Sequence, residues 1–134
     1  MTICLQPRFP LLISDVAEAF VAEAGKLTIE AVWTLRCLTV MPDHVHLFFT
    51  LGAKLTLSQV VARLKTKSQK FLHSQGCDWQ INFYDRMIRK EDSVEDVIRY
   101  IYLNPFRAGL ISLHETWPNF YCCEEDWSRF RQRD

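Results

Sequence analysis

The sequence has few of the features that would indicate a membrane, disordered or exported protein. Nowhere among its 134 residues do about 18 uncharged apolar residues follow one another, so we expect no transmembrane helix. Glycine and proline are scarce, at 4 and 5 residues, which excludes collagen-like and low-complexity chains. The N-terminus, MTICLQPRFP, lacks a basic stretch followed by an apolar one, so we expect no signal peptide and a cytoplasmic location.

An excess of charge of one sign is also missing, since 16 basic residues balance 16 acidic ones. A net charge of zero argues against a protein that coats nucleic acid without specificity. The charges are nevertheless unevenly distributed, because the stretch 63–90 has a net charge of +5. Such a stretch fits either a solvated helix face or a surface that binds phosphate groups.

The cysteines do not form a recognisable framework. There are five of them, an odd number, and no C-x-x-C occurs. We therefore expect reduced, mostly buried thiols. A structural zinc or protein-interaction module built on His114, Cys122 and Cys123 is an alternative, although adjacent cysteines suit zinc poorly.

Two strands are predicted to form a central hairpin. Residues 28–40 are rich in β-branched and aromatic side chains and predict a strand. Met41-Pro42-Asp43 predicts a turn, and 44–51 a returning strand. A shorter strand is expected at 2–5.

Three helices are expected beside this hairpin. Ser14 would cap a helix over 15–24 that ends at Gly25. Thr56-Leu57-Ser58-Gln59 matches a capping box and would open a helix reaching about Ser74. A third helix would begin at Ser93 and end near Asn104, because Pro105 follows. The tail from Leu110 looks irregular. This mixture predicts one α+β domain over 1–134, with helices packed against an antiparallel sheet.

The motif His44-Val45-His46 places two imidazoles two residues apart. On a strand, residues i and i+2 share a face, so both rings would project together while Val45 points into the core. Imidazole pairs of this kind suit a divalent metal ion, but the pattern also fits two ordinary strand histidines. Asp43 could orient an imidazole or act only as a turn residue.

Tyr100 and Asn104 form a second pair, one helical turn apart on the predicted third helix. A tyrosine hydroxyl is a possible nucleophile for phosphoryl transfer, and an amide oxygen is an acceptable ligand for Mg²⁺ or Mn²⁺. Core packing would explain a tyrosine here equally well. Tyr102 lies roughly 200° around the helix and cannot face the same site.

The segments VMPDHVHLFFTL and NFYDRMIRKEDSVEDVIRYIYLNPFRAGLI together resemble the IS200-type single-tyrosine transposases, in the branch associated with repetitive extragenic palindromes. The resemblance extends from about Thr2 to Asn119. It implies a ferredoxin-like antiparallel sheet that bears the histidines, with the tyrosine on a helix laid across it. It also implies that His44, His46 and Asn104 bind Mg²⁺ or Mn²⁺ and that Tyr100 is the nucleophile. Relatives commonly have glutamine in place of Asn104.

The resemblance further implies an activity. Single-stranded DNA with a hairpin would be cleaved and rejoined through a 5′-phosphotyrosine, by a monomer or a homodimer. Six basic residues are the expected DNA contacts: Arg63, Lys65, Lys67, Lys70, Arg89 and Arg107. Trp79 and Phe83 could stack on unpaired bases or belong to the core.

Two alternative functions remain open at this stage. The protein could be a repurposed relative that binds DNA hairpins without cleaving them, or a metal-dependent phosphodiesterase in which water replaces tyrosine. Relatives usually have several residues before the TICL strand, including a segment that contacts DNA. We therefore expect a shortened N-terminal strand here, which puts DNA recognition in question more than the metal site.

Overall fold

The computed structural model describes residues 1–89 and 92–132. It contains five strands, β1 (Thr2–Gln6), β2 (Trp33–Met41), β3 (His44–Leu51), β4 (Asp78–Trp79) and β5 (Phe120–Cys122). It also contains four helices, α1 (Ser14–Ile29), α2 (Leu57–Ser74), α3 (Val94–Arg107) and α4 (Glu124–Gln132). None of these helices is long and apolar enough to cross a membrane.

The strands form one antiparallel sheet in the order β4-β1-β3-β2-β5. The first four strands and the two helices between them follow the ferredoxin-like order, so the expected fold class is confirmed. β5 extends this sheet at the β2 edge. β3 therefore lies in the middle, with β1 and β2 on either side of it.

The two faces of the sheet are covered by different helices, because side chains alternate along each strand. Helices α1 and α2 pack on one face, where they bury the main hydrophobic core, which includes Leu38, Val45 and Leu64. Helices α3 and α4 cover part of the other face around a second cluster that includes Phe48, Ile98 and Phe130. The histidine motif alternates between these faces, so its imidazoles lie on the α3 side.

Three sequence-based boundaries were wrong. Helix α1 does not end at Gly25 but continues to Ile29, because one helical glycine costs only about 1 kcal/mol relative to alanine and Leu27 still packs into the core. The strand expected over 28–40 consequently starts only at Trp33. Helix α3 continues through Pro105 to Arg107, where the Ala108 N–H donates to the Asn104 carbonyl.

The C-terminal tail is more ordered than its sequence predicts. β5 pairs with β2 over three residues, and α4 follows it directly. The guanidinium of Arg36 on β2 donates two hydrogen bonds to the carboxylate of Asp126 on α4, at 2.8 and 2.7 Å. Aromatic rings of Tyr102, Trp127 and Phe130 pack together between α3 and α4. The tail thus supports the helix that carries Tyr100.

Candidate functional site

The two histidines of the motif lie side by side on β3, on the face of the sheet that α3 partly covers. Val45 between them is fully buried in the main core, as the alternation predicts. His46 is paired with Thr2 on β1 and with Thr39 on β2, and His44 is paired with Cys4 and Met41. Because β3 lies between β1 and β2 and is hydrogen-bonded to both, the backbone positions of the two histidines are fixed.

The Nε2 atoms of His44 and His46 face each other at 3.1 Å. The opposite nitrogen of each ring has an oxygen partner: His44 Nδ1 lies 2.6 Å from Asp43 Oδ1, and His46 Nδ1 lies 2.9 Å from Thr2 Oγ1. A carboxylate can only accept from an imidazole N–H, and a hydroxyl oxygen can also accept. With both Nδ1 atoms protonated in this way, the two Nε2 lone pairs converge on one point.

This donor set fits a divalent metal ion. Two nitrogen ligands at right angles, each about 2.1 Å from one ion, are separated by about 3 Å, close to the observed separation of the two Nε2 atoms. Partners on the far side of each imidazole are typical of metal-binding histidines, since they fix the tautomer and the ring orientation.

The electrostatic surroundings keep His46 neutral. Burial first, and then the neighbouring His44, the N-terminus and Arg8, together lower the pKa of His46 to about 4. Burial alone would raise the pKa of Asp43, but hydrogen bonds from Arg8 and His44 outweigh burial and lower it. Histidine binds metal in its neutral state, and burial favours this state for His46.

Tyr100 lies on α3, close to His46. The helix begins after Ser93, whose hydroxyl accepts a hydrogen bond from the Asp96 N–H, as the sequence predicts. The rings of Tyr100 and His46 meet edge to face with their centroids 5.4 Å apart, and Tyr100 remains 51% exposed. The guanidinium of Arg107 lies 5.3 Å from the centre of the Tyr100 ring. Tyr102, by contrast, packs against Phe120 and Trp127 and faces away, as expected.

Asn104 follows Tyr100 by one turn of α3 and is half-buried. Its position on the same helical face as Tyr100 agrees with the predicted pairing. Within residues 1–89 and 92–132, no group of three or more His, Cys, Asp or Glu side chains could hold a metal ion. Asn104 as a third ligand beside the two imidazoles stays a prediction.

A cleft of about 780 Å³ opens between β3 and α3. His46 and Tyr100 both line it, so the predicted ligand and the predicted nucleophile share one cavity. The remaining walls combine apolar, basic and acidic side chains, including Phe48, Ile88, Arg36, Arg89, Asp85 and Asp92. A cleft with this lining can accept a chain that carries both phosphate groups and flat apolar rings.

The predicted DNA contacts on α2 differ in their surroundings. Arg63 forms ion pairs with Glu23 and Glu30 at 3.2 and 2.7 Å, and Lys67 pairs with Glu23 at 3.3 Å. Lys65 is buried, and its ammonium donates to the Gln80 carbonyl at 2.9 Å. Lys70 is exposed. A DNA phosphate would therefore have to compete with Glu23 for Arg63 and Lys67.

The two aromatic residues that could stack on bases are part of the core. Trp79 is 5% exposed, contacts Phe20 and donates its indole N–H to Ser68 Oγ at 2.8 Å. Phe83 is partly buried against the same core. Stacking on DNA by Trp79 is therefore excluded, and the core interpretation is confirmed for it.

The alternative zinc module finds no support in the described part of the chain. The Cys123 thiol donates to Asp126 at 3.0 Å, and His114 is exposed on the loop before β5. All five cysteines are free thiols, and Cys4, Cys37 and Cys77 are buried.

Sequence reasoning missed Arg8 and Thr2. Arg8 Nε donates to Asp43 Oδ2 at 3.0 Å, and its terminal nitrogen lies 3.2 Å from His44 Nδ1. Asp43 thus belongs to the turn and also contacts His44, so both proposed roles coexist. The only available signal was a hydroxyl on β1 and a basic residue just after it, and its meaning becomes visible only once β1 is known to pair with the histidine strand.

Comparison with known proteins places these features in a family. The sequence matches the family of IS200-like transposases over residues 1–103. A protein of Haemophilus influenzae described as a REP-associated tyrosine transposase is 26% identical over 132 residues, which cover 87% of this chain and 74% of that protein. The REP-associated tyrosine transposase of Escherichia coli K12 is 28% identical over 81 residues, which cover 59% of this chain and 48% of that protein.

A solved structure shares the fold. It is the structure of a REP-associated tyrosine transposase bound to a REP hairpin, and it matches with a TM-score of 0.65 at 24% identity. The match covers 82% of this chain and 67% of that one.

Proposed function

Because the chain belongs to the family of IS200-like transposases and its named relatives are tyrosine transposases, we propose that it cleaves and rejoins single-stranded DNA beside a hairpin. The nucleophile in this proposal is Tyr100, and His44, His46 and Asn104 hold Mg²⁺ or Mn²⁺. One observation carries it: the Tyr100 ring contacts His46 on the face where the two Nε2 atoms converge. The solved neighbour's REP hairpin supports hairpin DNA as the partner.

The reaction begins with attack by the Tyr100 hydroxyl oxygen on a phosphodiester phosphorus. The tyrosine proton leaves, the bond from phosphorus to the 3′ oxygen breaks, and the 3′ oxygen takes up a proton. The 5′ phosphate stays on Tyr100 as a phosphotyrosine. A 3′-hydroxyl reverses the same step, so rejoining consumes no nucleotide triphosphate. When bound, the metal ion would polarise a non-bridging phosphate oxygen and stabilise the charge that develops there.

The protein's own cations flank this reaction. Arg107, whose guanidinium lies over the Tyr100 ring, can attract a phosphate that approaches Tyr100. Arg89 lines the cleft, where it can contact the DNA backbone. Lys70 is exposed on α2, which packs on the face of the sheet opposite the cleft, and stays a predicted contact. Arg63, Lys65 and Lys67 stay predicted contacts, with the intramolecular partners described above.

Two side chains keep the imidazoles in place during the reaction. Asp43 holds His44 through Nδ1, and the Thr2 hydroxyl holds His46 through Nδ1. Fixed rings present their Nε2 atoms without reorganising, and preorganisation of this kind lowers the barrier to a charged transition state.

A covalent adduct assay tests this function. A labelled DNA hairpin with single-stranded flanks, taken from the DNA beside the gene, is incubated with Mn²⁺ and resolved on a denaturing gel. We expect an adduct with the wild-type chain and with Tyr102→Phe, and none with Tyr100→Phe. Cleavage without an adduct would favour the phosphodiesterase alternative, and tight binding without cleavage would favour a hairpin-binding relative.

A further inference from the structure

A second exposed tyrosine lies on the same face of the sheet as the histidines. The backbone of Tyr84 pairs with Thr2 through two hydrogen bonds, with N to O distances of 2.7 and 2.9 Å. Residues that exchange two hydrogen bonds across an antiparallel pair project their side chains to the same side. Since the Thr2 hydroxyl contacts His46, the Tyr84 ring projects to the histidine side as well.

The two tyrosines are on opposite flanks of the histidine pair. Tyr100 belongs to α3, which packs over β2 and β3. Tyr84 pairs with β1, on the side away from β3. The His44 and His46 imidazoles therefore lie between them. A DNA strand that places a phosphate at the histidines and Tyr100 continues on one side toward Tyr84.

Basic charge accompanies Tyr84 on this flank. Arg8, whose side chain is 49% exposed, is fixed by its hydrogen bond to Asp43. Arg8 also reaches His44, which pairs with Cys4 of β1, and Tyr84 pairs with Thr2 of the same strand. A partly exposed guanidinium and an exposed aromatic ring along one strand can bind single-stranded nucleic acid, with phosphate on the cation and a base on the ring.

The exposure of Tyr84 has no structural explanation in the fold. Its side chain is 68% exposed, and Ile81 and Met87 in the same segment are 94% and 84% exposed. By contrast, Trp79 and Phe83 of the same segment pack into the core. An exposed aromatic ring on the histidine side of the sheet is available to stack on an unpaired base.

We propose that Tyr84 is a stacking platform for an unpaired base adjoining the scissile phosphate, with Arg8 contacting the phosphate of that nucleotide. This inference rests on the proposed function, because it takes single-stranded DNA as the substrate. The contact uses the face of the ring and leaves the Tyr84 hydroxyl without a role. Stacking of this type tolerates any base, so Tyr84 strengthens binding without selecting a sequence.

The experiment measures binding of the hairpin DNA with single-stranded flanks, without added metal, by fluorescence anisotropy. Tyr84→Ala should weaken binding about 10-fold, whereas Tyr84→Phe should bind like the wild type. The matched control is Tyr121→Ala, which removes a tyrosine that is 41% exposed and paired with Leu38, on the opposite face of the sheet. It should leave the affinity unchanged.

A second series of DNAs, each lacking one base in the single-stranded flank, identifies the contact. At one position, removal of the base should weaken wild-type binding by the same factor, and Tyr84→Ala should then cause no further loss. If Tyr84→Ala binds intact DNA as tightly as the wild type, or weakens every abasic DNA equally, the proposal is overturned.

Adduct formation tests the proposed function separately from the stacking contact. At saturating DNA with Mn²⁺, Tyr84→Ala should still form the Tyr100 adduct. A wild-type chain that forms no adduct contradicts the proposed function, whereas the abasic series still reports on the stacking contact.

Discussion

The Nε2 atoms of His44 and His46 lie 3.1 Å apart, and the Nδ1 atom of each ring is within hydrogen-bond distance of a side-chain oxygen from the neighbouring strand or turn. This relationship follows from two neighbours of β3, namely strand β1, which pairs with it, and the turn that precedes it in the sequence. Thr2 on β1 reaches His46, and Asp43 in the turn reaches His44. Substitutions at the residues that contact the two rings can therefore test what each one contributes to the site.

Asp43→Asn should weaken Mn²⁺ binding by about 10- to 100-fold, because an amide is a poorer acceptor for the His44 Nδ1 proton and loses the carboxylate charge. A Mn²⁺ titration followed by electron paramagnetic resonance measures this affinity. The control is Asp78→Asn, which removes a carboxylate paired with His73 on the exposed surface. Equal affinities for Asp43→Asn and the wild type would show that Asp43 serves only the turn.

Chelation of divalent metal should abolish DNA cleavage and leave hairpin binding largely intact. The basic side chains that contact phosphate keep their charge without metal, whereas the phosphate loses the cation that stabilises its transition state. Added Mn²⁺ should restore cleavage to the wild type but not to His44→Ala or His46→Ala. Undiminished cleavage in the chelator would refute the metal assignment.

Lys65→Met should destabilise the fold, because it leaves the half-buried Gln80 carbonyl without the donor that the buried Lys65 supplies. The expected loss in the free energy of unfolding is about 1–3 kcal/mol, measured by urea denaturation. Lys70→Met, at an exposed position of the same helix, should change stability little. The dependence of DNA affinity on salt then tests the contact that the sequence predicts for Lys65. A shallower slope in Lys65→Met shows that its ammonium also neutralises a phosphate, and an unchanged slope assigns it to the fold alone.

The ion pair between Arg36 and Asp126 should make stability depend on pH in the acidic range. The hydrogen bond from Arg36 lowers the pKa of Asp126 below its ordinary value and outweighs burial, which would raise it. Because the folded-state pKa is lowered, the contribution to stability is complete above the unfolded pKa of about 3.9 and is lost as pH falls through the folded value. The free energy of unfolding of Asp126→Asn should therefore vary less with pH below about 4 than that of the wild type.

Glu125→Gln is the control for this experiment. It removes an exposed carboxylate that pairs with Arg129, and such surface pairs contribute little to stability. Its pH profile should match that of the wild type. If the profile of Asp126→Asn matches too, the pair with Arg36 does not stabilise the tail.

Much of this architecture follows from the sequence because the relevant signals are local. The capping box at Thr56 and Gln59 forms as expected, and both reciprocal hydrogen bonds are present. Alternation on β3 sends Val45 into the core and the two histidines to the other face. The ferredoxin-like order, by contrast, was expected from the resemblance to a family.

The errors arose where tertiary contacts outweigh local preference. Gly25 predicts the end of a helix, yet α1 continues to Ile29 because its apolar face remains packed against the core beyond Gly25. β5 spans only three residues and is formed by pairing with β2. No local sequence pattern predicts this pairing. Arg8 is distant from Asp43 and His44 in sequence, and only the pairing of β1 with β3 brings them together. The assignment of Lys90 to the basic stretch falls outside the described residues.

The most direct test of Tyr100 as the nucleophile is to identify the residue that carries DNA in the covalent adduct. After nuclease and trypsin digestion, mass spectrometry locates the residual phosphonucleotide. We expect the phosphonucleotide on the peptide YIYLNPFR. Fragment ions that contain Tyr100 but not Tyr102 should already carry the added mass. Attachment to Tyr84, Tyr102 or Tyr121, or DNA cleavage that leaves no phosphonucleotide on the protein, would contradict this assignment.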